Sequence, residues 1–146
     1  APRGPREPAW LEPPAITEEV IAFCFQVLIA RLQRRPEPPL LGVAAAAEVD
    51  GLFVTWRTPD GKLRGCMGTL RPVRLDEGLC QYALRSSLQD RRFHPVQLRE
   101  VPSLTCRVSV LHSFEPCEDP YDWEVGVHGV RICFSSQPGM LCPCGG

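Results

Sequence analysis

The chain has 146 residues, 44% hydrophobic and 23% charged, with a formal net charge of −1. A chain of this length buries a core without metals or disulfides, and its apolar content excludes wholesale disorder. The longest apolar stretch, residues 22–30, is interrupted by Gln26. A spanning helix needs about 20 apolar residues, so no transmembrane segment and no membrane partner are expected.

Residues 1–14 are rich in proline, which removes backbone donors and fixes φ. They read as a disordered, extended arm, with a PxxP-type ligand as the alternative. Thr17 is placed to cap a first helix, with Glu18 and Glu19 in its first turn, where the helix dipole favours anions. Val20, Cys24, Val27, Leu28 and Arg31 form one stripe, and Ile21, Phe25, Ile29 and Leu32 form a second beside it. Such a wide arc predicts burial on two sides. Pro36 ends the helix, and residues 36–50 read as a loop with a short helical turn in the alanine run.

A hairpin follows. Residues 51–57, GLFVTWR, are β-branched and aromatic; Thr58-Pro59-Asp60-Gly61 is a turn; residues 62–70 return antiparallel. A second helix is expected near 76–89, a connector between Pro95 and Pro102, and a strand over 104–112. Residues 122–134 predict two short strands in a tight hairpin around Gly126 to Gly129. The order α, β, β, α, β, β, β gives an α+β fold, an antiparallel β-sheet with flanking helices.

Arginine outnumbers lysine by 15 to 1 and asparagine is absent, a skew that GC-rich codons explain without any function. Charge is uneven: residues 1–50 carry net −2, residues 51–114 net +5 and residues 115–146 net −4. The basic middle could attract an anion. Nucleic acid ranks last among the partners considered. Eight cysteines are too few for a disulfide-dense scaffold, so a reducing compartment is expected. Cys142 and Cys144 are spaced CxC, against the two- to four-residue spacing of structural zinc sites, so no metal is expected. There is no P-loop, GxGxxG or GxSxG, and no cofactor is expected.

The densest chemical signal is Leu63-Arg64-Gly65-Cys66-Met67-Gly68. Paired glycines in a strand mark a bulge or a close backbone approach. Cys66 is either a small buried thiol in a kinked strand or a nucleophile beside backbone N–H groups and Arg64. His94, His112 and His128 show no metal spacing, and a Cys66–His dyad stays open.

LFVTW (52–56), LRGCMGT (63–69), GLCQYALRSSLQDRRFHP (78–95), VPSLTCRVSVL (101–111) and DWEVGVHGVRICF (122–134) resemble, in order, blocks of the AMMECR domain family. The resemblance covers about residues 16–134. It implies an α+β domain with a larger and a smaller lobe and a groove near the LRGCIG motif. It implies an intracellular protein, cytoplasmic or nuclear. In prokaryotes the family keeps company with a radical-SAM partner and a Memo-type partner, which suggests modification of some biomolecule; the family has no settled activity. Leu63, Arg64, Gly65, Cys66 and Gly68 match the motif, with Met67 replacing isoleucine. Asp90, Arg92 and Phe93 match a D-x-R-F block, and Asp122, Trp123, Glu124, Gly126, His128 and Gly129 match a DWEVGVHG block.

The expected site therefore has Cys66, Arg64 and His128 as catalytic residues. Leu63, Gly65, Met67, Gly68, Asp90, Arg92 and Glu124 line the groove. An enzyme-like role on an unidentified small substrate and a non-catalytic protein-interaction module are the two readings. The domain boundaries expected are 15–134, with a divergent tail at 135–146 where the family continues differently, so an incomplete and destabilised domain is expected.

Overall fold

The computed structural model describes residues 14–134 and 137–141. Helix α1 spans Glu18–Leu32 and helix α2 spans Leu75–Leu88. Strands β1 (Glu48–Val49) and β4 (Val73–Arg74) pair as a short ribbon. Strands β2 (Gly51–Arg57), β3 (Leu63–Thr69) and β5 (Thr105–Leu111) form an antiparallel sheet in the order β3-β2-β5. Strands β6 (Val130–Phe134) and β7 (Gln137–Leu141) form a separate antiparallel pair. The fold is α+β.

The central strand is β2, and all its residues but Arg57 are buried. Burial on both faces is what its unbroken β-branched and aromatic run encodes. Leu52, Val54 and Trp56 face the helices and join a core built from Val20, Cys24, Val27, Leu28, Leu75, Leu79 and Ala83. The two stripes expected on α1 are used in their apolar positions: Val20, Cys24, Val27 and Leu28 are buried, Ile21, Phe25, Ile29 and Leu32 pack partly buried around them, and Arg31 is exposed and pairs with Glu37. Thr17 takes the N-cap position through its backbone, its carbonyl accepting from Val20 and Ile21, with no side-chain cap bond.

Trp56 is the largest fully buried side chain. Its Nε1–H donates to Ser86 Oγ at 2.9 Å and to Ala83 O at 3.3 Å, and Phe25 meets the ring edge-on at 5.0 Å between centroids. Directly across β3 from Trp56 is Gly65. A Cβ at Gly65 would lie 1.9 Å from the carbonyl oxygen of Ser86. The last turn of α2 thus rests on bare β3 backbone at Gly65, while Gly68 makes room for β2.

Two differences from the sequence expectation stand out. The connector before β5 contains a 3₁₀ helix, Leu98–Ser103, held by a capping box between Gln97 and Glu100. And residues 122–129 form no strand. Val127 and His128 N–H both donate to Glu124 O, which makes a tight turn. Val125 and Val127, the apolar half of the alternation, are 82% and 66% exposed. Alternation makes a strand only where a buried face rewards it, and the described residues offer none there. Val130–Phe134 pairs instead with Gln137–Leu141. Among the described residues no helix is long and apolar enough to cross a membrane.

The Gly65 contact yields a test. Gly65→Ala forces its methyl into a backbone carbonyl that cannot yield without moving α2, so thermal unfolding should show a loss of about 3 kcal/mol or more.

Candidate functional site

The hairpin register slips between Trp56 and Arg57: Trp56 opposes Gly65, but Arg57 opposes Leu63. Arg64 is therefore the extra residue of a β-bulge. Bulges re-aim side chains at sheet edges, and this one sends the Arg64 guanidinium toward the chain that follows α2. Its Nε and Nη2 donate to Glu100 Oε1 and Oε2 at 3.1 and 3.3 Å, and Nη1 donates to His94 O at 2.7 Å. The Arg64 side chain is only 13% exposed. Burial pushes the Glu100 carboxyl up, but the Gln97 N–H and Arg64 outweigh it and hold the group below its ordinary value.

Cys66 pairs with Thr55 across β2, on the sheet face away from the helices. The Thr55 hydroxyl donates to Cys66 Sγ at 3.3 Å. Because β3 is an edge strand, Cys66 points its own N–H and C=O outward, and both are taken up by side chains. The N–H donates to Asp90 Oδ2 at 3.0 Å, and the carbonyl accepts from Arg92 Nη2 at 3.3 Å. Arg92 also clasps Asp90 through Nε and Nη2, at 3.0 and 2.8 Å, and its own N–H donates to Asp90 Oδ1 at 3.2 Å. Asp90 and Arg92 together stand in for a fourth strand over one residue.

The Arg92 guanidinium holds the Asp90 carboxyl down to about 2, with the Cys66 and Arg92 backbone N–H groups acting in the same direction against burial. Two other thiols are shifted upward. Burial and the neighbouring Glu37 push Cys80 up to about 11. Cys106 is raised by its bond to Cys24 and by burial, and Cys24 is fully buried.

An open cleft of about 500 Å³ lies at this edge, lined by Arg64, Arg91, Arg92, Phe93 and His94. Of the expected groove residues, Leu63 and Met67 are half-buried on β3 opposite Arg57 and Val54, and Gly68 lies against the Leu52 carbonyl and the Phe53 ring. The structure brings Cys66, Asp90 and Arg92 together and sets Arg64 beside them. His128 and Glu124 meet each other instead: His128 Nδ1 accepts the Glu124 N–H at 2.8 Å within the exposed turn. Thr55, Arg91 and Glu100 were not singled out from sequence, whereas His94 was named there as one of three histidines open to a dyad with Cys66. The Gln97-x-x-Glu100 spacing was the one available signal for Glu100. Among the described residues no group of three or more His, Cys, Asp or Glu is placed to hold a metal ion.

The sequence profile of the AMMECR1 family matches residues 21–144. An uncharacterised protein of Arabidopsis thaliana is 45% identical over 122 residues, covering 80% of this chain and 55% of the relative. One of Schizosaccharomyces pombe is 36% identical over 123 residues, covering 82% and 64%. The crystal structure of an uncharacterised protein from Pyrococcus horikoshii superposes with a TM-score of 0.74 at 30% identity, covering 86% of this chain and 68% of that one. The chain spans between half and two thirds of the length of these two curated relatives.

The Asp90 clamp has a pH signature. Its folded value of about 2 lies below the unfolded value of about 3.9. Its contribution is therefore complete above about pH 4 and is lost as pH falls toward 2. In urea unfolding, the stability gap between the parent chain and Asp90→Asn should shrink by roughly 2 kcal/mol over that window.

Proposed function

The chain belongs to the AMMECR1 family, and from that premise we propose that its LRGCMG groove is the working site of an enzyme-like component of a biomolecule-modification pathway. Cys66 is its reactive group. The observation that carries this reading is the clamp: both backbone polar groups of Cys66 are tied to an internally neutralised Asp90–Arg92 pair. The Thr55 hydroxyl donates to the sulfur, and guanidinium groups line the adjoining cleft. Arg64 is a positioning residue that ties the bulge to the 3₁₀ helix through Glu100.

A second reading, a protein-interaction module, draws on the 114–127 segment. Phe114, Tyr121, Trp123, Val125 and Val127 are all exposed there, and contiguous exposed apolar groups mark interaction surfaces. Glu115, Glu118, Asp119, Asp122 and Glu124 make the same segment acidic, so a basic partner suits it.

One measurement separates the two. Alkylation of the intact chain by iodoacetamide at neutral pH, followed by peptide mapping, compares Cys66 with the exposed Cys117 as an internal reference. The enzyme reading expects half-buried Cys66 to react severalfold faster. A Cys66 that reacts no faster than Cys117 removes that reading and leaves the interaction module.

A further inference from the structure

The three guanidinium groups at the edge of β3 are not equally engaged. Asp90 and Glu100 divide their oxygens between side chains and backbone: Asp90 serves Arg92 and the N–H groups of Cys66 and Arg92, and Glu100 serves Arg64 and the N–H of Gln97. Arg64 spends three of its N–H donors on Glu100 and His94 O. A guanidinium has five, so one N–H on each of Nη1 and Nη2 is left over. Arg91 makes no ion pair or hydrogen bond among the described residues, and the His94 ring makes none either. These unspent donors line one cleft of about 500 Å³. They come from two directions, the β3 bulge and the turn after α2. The Phe93 ring, half-buried with the Arg92 guanidinium 5.5 Å from its centroid, gives the cleft an apolar wall.

We propose that this cleft is a binding site for a phosphate monoester. Donors converging from separate elements suit a tetrahedral dianion with three terminal oxygens better than a planar carboxylate, which one guanidinium fork satisfies. The two local carboxylates cancel two of the three guanidinium charges and leave Arg91 as the uncompensated one. The apolar wall accepts the body that carries the phosphoryl group. The turn after α2 is fixed before any ligand arrives: Phe93 N–H donates to Asp90 O at 3.0 Å, and Val96 N–H to Ser87 O at 2.9 Å. Preorganised donors of this kind lower the cost of binding. The proposal names a substrate class for the groove and rests on the reading of that groove as the working site, but the binding itself does not need the thiol.

The test is calorimetric titration of the full chain with phosphoserine, adenosine monophosphate and, as a control, inorganic sulfate. Saturable one-to-one binding of a monoester is expected, weakened about tenfold by Arg91→Ala and retained in Cys66→Ser. Arg91 is exposed and holds no partner among the described residues, so its variant should melt with the parent. Tighter phosphoserine assigns the site to phosphorylated protein, and tighter adenosine monophosphate assigns it to a nucleotide. Non-saturable binding, sulfate bound as tightly as either monoester, or indifference to Arg91→Ala overturns the proposal. Monoester binding alongside a Cys66 no faster than Cys117 keeps the cleft and removes the thiol reading; a fast Cys66 with no monoester binding does the reverse.

Discussion

The contact between Gly65 and the carbonyl of Ser86 decides where α2 ends relative to the sheet. A side chain at position 65 would hold the helix away from β3, and a 1.9 Å clearance to backbone leaves no room for even a methyl group. With the helix seated, Trp56 reaches Ser86 Oγ and Ala83 O, so the largest buried ring has its one polar atom satisfied. The chain leaving α2 then passes the outer edge of β3. Everything at the candidate site follows from that passage: Asp90 arrives at the Cys66 N–H, Arg92 at the Cys66 carbonyl, and His94 under Arg64.

This geometry explains why LRGCMG and D-x-R-F belong together as motifs. One supplies an edge strand with a bulge and a bare backbone, and the other supplies the side chains that close it. The two charges of the clasp compensate each other. That arrangement is far cheaper than burying Asp90 alone. Arg64 and Glu100 repeat the pattern one step along, with the capping box of the 3₁₀ helix as the anchor. Cys66 and Arg64 therefore sit on strand backbone, and the turn after α2 carries Arg91, Arg92, Phe93 and His94 to the same edge.

The central hairpin was legible from sequence because its signals are local. A strand buried on both faces is written as an unbroken apolar run, and its turn is written as Thr-Pro-Asp-Gly. The helices were legible for the same reason. The clasp was not legible from spacing alone, since Cys66 and Asp90 are joined only by the seating of α2, and no periodicity reports on that. The same holds for Arg64 and Glu100. Residues 122–129 failed in the opposite direction. Val125 and Val127 alternate like strand residues, but alternation records a preference for a buried face, and the described structure offers them none. The DWEVGVHG block was expected to bring Glu124 and His128 to the groove, and they instead close their own turn.

The clasp on β3 also bears on how separate copies of the chain avoid one another. An uncovered edge strand offers its N–H and C=O groups to any other strand of the right length. On β3 the outward groups of Cys66 are already occupied by a carboxylate and a guanidinium, and the bulge at Arg64 twists the strand where it would otherwise lie flat. Two side chains from a turn thereby cover that edge at Cys66. Acid strong enough to protonate Asp90 would loosen that latch and leave the outward groups of Cys66 less well covered.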